Sequence, residues 1–263
     1  MISSMQAAVI KKDVRFITTN KNLFTGLVVV SLIFSVFLPL LFILLINYVP
    51  DEASDLQTML DMIPQKYRLD STESTLILLI MNYIMPVFFA IIPIMASSTM
   101  AASSFVGEKE KRTLETLLYS PLSIKEVFHA KIYASFFVSM AVSFCSFAVM
   151  LIVSQVSIFL TRGVLIPPGV GWLAMMLAVS PATSLLSITL IVSGSAKAKT
   201  IEESYQRSVF LVLPFILLVI GQFTGLILVN AWYLLGLGAV LGAAAALMMK
   251  RSMRNFTYET LLR

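Results

Sequence analysis

The stretch whose reading decides the fold is Ser208–Met249, SVFLVLPFILLVIGQFTGLILVNAWYLLGLGAVLGAAAALMM, 42 residues without a charged side chain. A helix needs about 20 apolar residues to cross the hydrocarbon of a bilayer, so the run is long enough for two spans. Its middle carries Asn230, Trp232 and Tyr233, residue types that suit a membrane interface, and a tight hairpin there divides the run near 208–228 and 231–249. Four other long gaps between charges, 22–50, 74–107, 132–161 and 163–196, hold one span each, near 23–46, 75–100, 132–157 and 171–192.

The parity of that count sets the sidedness of the chain. With six spans both termini share a side, and sixteen of the nineteen Lys and Arg residues fall there. Only Lys66, Arg68 and Arg162 lie opposite. By the positive-inside rule, the termini and the loop 101–131 are expected in the cytoplasm. A single span over 208–249 would strand Lys250, Arg251 and Arg254 outside.

Composition agrees with an all-α integral membrane protein folded as one domain over 1–263. The chain is 58% hydrophobic and 13% charged, whereas soluble proteins carry roughly a quarter charged residues. Its mean hydropathy is +0.91. The net charge of +5 does not point to nucleic acid, because the basic residues stand in short blocks beside apolar runs without interleaved aromatics. The single cysteine, Cys145, excludes an intrachain disulfide and reads as a small hydrophobe within an apolar run. The start, MISSMQAAVIKKDVRF, has late basic residues and no cleavage site, so it reads as retained. There Ile2, Met5, Val9 and Phe16 share one helical face and Lys11, Lys12 and Arg15 another, which predicts an interfacial helix over 1–22. In the outer loop 47–74, Leu56, Met59, Leu60 and Ile63 repeat at helical spacing ahead of Pro64, so a short surface helix is expected. Asp51, Glu52, Asp55, Asp61, Asp70 and Glu73 give that loop a solvated acidic face, with a calcium site as the alternative.

The six expected spans contain no Asp, Glu, Lys, Arg or His. Proton coupling needs such groups, so a proton-driven carrier and a voltage sensor are disfavoured, while ion coupling through neutral ligands stays open. The one histidine, His129, sits at a helix start with no nucleophile beside it. SGSAKAKT at 193–200 has Lys199 where a phosphate loop needs its second Gly, so no ATPase is visible on this chain. Polarity within the spans comes from hydroxyls. Ser135, Ser139, Ser143, Ser146, Ser154 and Ser157 share one side of the third span, and Ser180, Thr183, Ser184 and Ser187 one side of the fourth. Such stripes serve close helix packing or line a pathway. Gly221 with Gly225, and Gly238 with Gly242, add two further packing spacings. Pro39, Pro86, Pro93, Pro181 and Pro214 can kink spans.

The densest polar run is VGEKEKRTLETLLYSPLSIKEVFHAK, Val106–Lys131, with nine charged residues. Glu108 with Arg112, and Lys111 with Glu115, are i,i+4 pairs that favour a helix. Leu114, Leu117 and Leu118 then make an apolar ridge, and Ser120-Pro121 stops it. Ser123 with Glu126 forms a capping box for the next helix, and Thr200 with Glu203 a second one ahead of the fifth span. The physical outcome is either a solvated loop helix or a docking element.

Gly107, Glu108, Lys109, Glu110, Thr113, Leu114, Glu115, Leu117, Leu118, Pro121 and Lys131 resemble the cytoplasmic loop of ABC transporter type-2 permeases, the six-span subunits of bacterial drug, peptide and sodium efflux systems. SAKAKTIEESYQ and the interfacial N-terminus look similar too. The likeness is weakest in the outer loop and the final hairpin, where members of that family often have a re-entrant segment. The resemblance implies an exporter permease paired with a second permease subunit, alike or different, in a bacterial or archaeal cytoplasmic membrane. It implies ATP and Mg on a separate cytoplasmic ABC ATPase and no cofactor on this chain. Thr113 to Tyr119 would be the coupling helix, with Glu108, Lys109 and Arg112 as polar contacts and 197–206 touching the ATPase more lightly. Outside that resemblance stand two alternatives, a non-transporting scaffold or sensor that docks a cytoplasmic partner, and an ion-driven carrier with neutral ligands.

Overall fold

A computed structural model describes residues 4–48, 69, 71–110, 123–195 and 200–254. These residues are almost wholly helical, with no strand among them. Seven helices follow in order: α1 (Ser4–Thr19), α2 (Lys21–Tyr48), α3 (Thr72–Glu108, helical on to Glu110), α4 (Ile124–Arg162), α5 (Val170–Ser195), α6 (Ile201–Phe223) and α7 (Ala231–Arg254). All but α1 are long and apolar enough to cross a membrane. The acidic stretch 51–68 with Asp70, its expected surface helix and the calcium alternative lie outside the described residues. Glu73 faces Arg162 across 3.8 Å.

α3 and α5 form the enclosed centre, and α2, α4, α6 and α7 surround them with outward faces. Phe37, Ile152, Leu217 and Val240 are among the exposed apolar side chains on those outer helices. At 39 residues α4 is about 58 Å long, roughly twice the hydrocarbon thickness, so it must project beyond the apolar slab.

Three of the spans carry a wide π turn, at Ile33–Phe37, Ile80–Ile84 and Met175–Val179. Each ends two residues before a proline: Pro39, Pro86 and Pro181. The cause is local. Proline has no N–H to give, and its ring clashes with the carbonyl four residues back, so widening the turn relieves the clash without ending the helix. The carbonyls this frees need other donors in an apolar setting. In α3 the Trp172 indole Nε1–H donates to Met81 O at 2.9 Å and the Gln222 amide donates to Tyr83 O at 3.0 Å. The Asn82 side chain accepts from the Gly169 N–H at 2.6 Å, pinning the 163–169 connection over the same turn.

The run that opened the analysis does form two helices, but the break comes earlier than 228, at Phe223. Gly225, at φ 71°, takes the left-handed conformation that ends a helix at least cost. Leu226 N–H donates to Gly221 O at 3.0 Å and Gly225 N–H to Gln222 O at 3.1 Å, satisfying the last carbonyls. The Gly221/Gly225 spacing is therefore a helix stop and not a packing seam. Gly238 and Gly242 do face α5: a Cβ on Gly238 would stand 2.8 Å from Ala178 Cβ, and one on Gly242 would stand 3.8 Å from Ala182 Cβ.

Candidate functional site

Both expected helix starts are present. The Ser123 hydroxyl accepts from the Glu126 N–H, and the Glu126 carboxylate accepts from the Ser123 N–H at 2.8 Å. The Thr200 hydroxyl accepts from the Glu203 N–H at 3.2 Å and starts α6 at Ile201, ahead of the expected 208. Arg112, Thr113, Leu114, Glu115, Leu117, Leu118 and Tyr119 lie outside the described residues, as does the side chain of Lys109.

Residues Ser103–Glu110, at the end of α3, are a hub for three other helices. Glu108 turns inward, 7% exposed, instead of toward solvent. Its carboxylate accepts from Lys131 of α4 at 2.6 Å and is also ion-paired with Lys12 of α1. Lys131, 2% exposed, further donates to Ser104 O and stands 5.3 Å over the Phe105 ring. The Ser104 hydroxyl donates to Asp13 of α1 at 2.5 Å. Glu110 accepts from the Ile201 N–H at 3.3 Å, which puts a carboxylate at the N-terminus of α6, where the helix dipole favours it. A Cβ on Gly107 would press to 3.2 Å from Ile201 Cδ1, so α6 crowds the same turn.

Asp13, Lys12 and Ser104 were not legible as members of the cluster around Glu108 and Lys131. The buried stripe of α1 is Val9, Asp13 and Ile17, at i, i+4 and i+8, with Lys11 and Arg15 exposed. Of the expected face of Ile2, Met5, Val9 and Phe16, Val9 is buried and Phe16 half-buried, while the side chains of Ile2 and Met5 lie outside the described residues. An aspartate in the middle of an apolar stripe was the available signal. Burial pushes the Asp13 carboxyl above its ordinary value, although Lys131 and the Ser104 hydroxyl pull it down. A raised value in the fold means that the group's contribution is greatest below the ordinary 3.8 and is lost as pH rises through the raised value. Asp13→Asn is thus expected to gain stability relative to the parent as pH rises over that range. Paired denaturation midpoints at a series of pH values check this, and a difference that stays constant or turns the other way would contradict it.

The hydroxyl stripes meet one another. Ser139 donates to Pro93 O at 3.0 Å and lies 2.9 Å from the Ser184 hydroxyl. Ser187 lies 2.5 Å from Ser98 and donates to Ser208 at 3.4 Å. Ser135 and Ser143 donate to carbonyls of their own helix, and Ser146 is 6% exposed. Within this chain these groups fill the contacts among α3, α4, α5 and α6. Ser97, Ser98, Ser103 and Ser104 of α3 belong to the same buried polar set and were missed, although ASSTMAASS at 96–104 displays them. His129 is half-buried beside Tyr133, and Cys145 is exposed on α4. Among the described residues no group of His, Cys, Asp and Glu side chains could hold a metal ion.

No curated protein and no solved structure matches the chain significantly. The family model for ABC-2 family transporter protein matches residues 7–248, from the second turn of α1 to within α7, with the segment between α3 and α4 included. The chain belongs to the ABC-2 transporter family, as a multi-pass membrane permease subunit.

Proposed function

We propose that this chain is the transmembrane half of an ATP-driven exporter, whose segment 111–122 docks a cytoplasmic ABC ATPase carrying ATP and Mg. The observation that carries the reading is where that segment is anchored. It springs from the α3 hub and returns through the Ser123 cap into α4, the longest helix. A push on it is delivered to both central and peripheral helices. The sixteen-to-three distribution of basic residues supports a cytoplasmic side for the hub, both termini and Thr200. The lack of Asp, Glu, Lys, Arg and His in the apolar middle of the spans favours an external motor over proton coupling. Two such subunits, alike or different, assemble with two ATPases in the family arrangement, and Leu114, Leu117 and Leu118 supply the apolar ridge that seats in the motor.

Affinity purification of the membrane complex in mild detergent tests this. A chain bearing a Walker-type phosphate loop is expected to co-elute, and Leu117→Asp with Leu118→Asp is expected to release it. Desolvating even one unpaired carboxylate at an apolar interface costs several kcal/mol, enough for a loss of association of 100-fold or more on the order-of-magnitude scale. Unchanged co-elution and ATP hydrolysis in that variant would remove the docking role from this segment.

A further inference from the structure

We infer that the cavity between α1 and α3 binds the headgroup of an aminophospholipid, its primary ammonium on Asp13 and its phosphate at the basic edge of α1. This siting rests on the membrane surface assigned to α1 above and not on the docked ATPase. The cavity follows from how α1 is held. Ile10, Val14, Phe16 and Ile17 pack with Ala134 and Val138 of α4 and with Met100 of α3, so α1 leans on α4 and, nearer its start, stands off from α3. An opening of about 340 Å³ remains there, with Lys12, Asp13 and Phe16 on the α1 side and Ser103, Ser104, Gly107 and Glu108 on the α3 side. Ser103, Ser104 and Gly107 are small, which leaves the room, and the volume is on the scale of small-ligand sites.

The wall of this cavity is short of positive charge. It presents the carboxylates of Asp13 and Glu108 against the single ammonium of Lys12, which is itself paired with Glu108. The other nearby cation, Lys131, is 2% exposed and is taken up by Glu108 and Ser104. Asp13 is 5% exposed, and its Oδ2 accepts from the Ser104 hydroxyl at 2.5 Å. Its Oδ1 has Lys12 Nζ at 3.9 Å, beyond hydrogen-bond reach, and no donor among the described residues. A buried carboxylate oxygen left without a donor is costly, and a charged donor entering the cavity relieves that cost. In keeping with this, burial holds the Asp13 carboxyl above its ordinary value in spite of Lys131 and Ser104. The Phe16 ring on the same wall favours an organic ammonium, through its negative face. The lipid is the source that the position of α1 supplies. Only Asn20 separates α1 from α2, the first span, so the cavity sits at headgroup level. Lys12 and Arg15 are three apart and Arg15 is four from Lys11, which gives α1 an exposed basic edge beside the cavity for the phosphate. A choline head has no N–H to give Asp13, and a glycerol head brings no positive charge.

The test uses the full-length permease, purified in mild detergent and exchanged into phosphatidylethanolamine, phosphatidylcholine or phosphatidylglycerol of identical acyl chains, singly and in equal mixture. Native mass spectrometry counts the lipid retained. Phosphatidylethanolamine is expected to be retained about tenfold over either of the others, the scale of one charge-assisted hydrogen bond to a buried acid. Asp13→Asn keeps the shape of the side chain and is expected to abolish that preference. Ser103→Leu fills the cavity from the α3 side and is expected to do the same, since the Ser103 hydroxyl donates to Met100 O of its own helix and ties α3 to no other element. Glu202→Gln, at an exposed acid of α6, should leave the preference intact. Soluble phosphoethanolamine at the same concentration is expected not to displace the lipid. Equal retention of the three lipids, a preference for phosphatidylglycerol, or a preference that survives both cavity variants overturns the ammonium site. Displacement by phosphoethanolamine overturns the lipid as its occupant. Lipid retention is read on the permease alone, so a failure to capture an ATPase counts against the docking reading and not against this site.

Discussion

Lys131→Met is expected to cost about 3–5 kcal/mol of stability, the scale for removing one partner of a buried ion pair. The cost comes from what stays behind. Lys131 is the fully buried cation of the hub, and without it the Glu108 carboxylate loses that buried charge, whereas Lys12, which also pairs with it, has a side chain 52% exposed. Asp13 loses the stronger compensating charge as well, and Ser104 O loses a donor. Lys12→Met should cost far less, about 0–1 kcal/mol, because a half-exposed pair gains little over hydration. A Lys131→Met, Glu108→Leu double variant is expected to recover much of the loss, since an apolar pair of similar volume can replace a buried ion pair without a stranded charge. The chain has two tryptophans, Trp172 at 2% and Trp232 at 79% exposure, so the emission of Trp172 reports opening of the core during titration into SDS. A single Lys131→Met variant within about 1 kcal/mol of the parent, or a double variant worse than the single, would contradict the burial of this pair.

What was legible in the sequence was what is local. The caps at Ser123 and Thr200 are decided within three residues, and both are present. Apolar length and charge-free gaps marked the six membrane helices because the bilayer imposes one dimension on all of them. The Gly221 misreading shows the limit of spacing: glycines four apart appear both where helices touch and where one ends. Only the non-helical stretch 226–230 that follows tells the two cases apart. The π turns were readable in principle, because each is set by the proline two residues beyond it. The hub was not, because its ion pairs join residues 96 and 23 positions apart. Charge pattern alone assigned Glu108 to the surface run GEKEKR, but the helix carries it one turn further inward, onto the face shared with Ser104.

Gly238→Leu is expected to detach α7 from the bundle, with a loss of about 1–3 kcal/mol from overpacking. The neighbour it would meet is unable to yield. A Cβ at 238 would lie 2.8 Å from Ala178 Cβ and 2.9 Å from the Ala178 carbonyl carbon, so backbone and not a flexible side-chain end is in the way. Ala178 is held there by the π turn Met175–Val179 ahead of Pro181, which fixes how far α5 bulges toward α7. In a bilayer, close approach of backbones stands in for the hydrophobic drive that lipid does not supply. Since α7 packs chiefly on α5, pushing it outward gives up most of its tertiary contact. Three controls isolate the cause. Gly236→Leu meets nothing within 4 Å and should be near neutral, and Gly242→Ala would make an ordinary 3.8 Å contact with Ala182. Ala178→Gly should partly rescue Gly238→Ala by removing the nearest of the clashing atoms, while the carbonyl carbon at 2.9 Å keeps the rescue incomplete. The readout is the denaturation midpoint together with protease access to the α6–α7 turn at 224–230. If Gly238→Leu and Gly236→Leu behave alike in both measurements, the close contact between α5 and α7 does not hold the last helix in place.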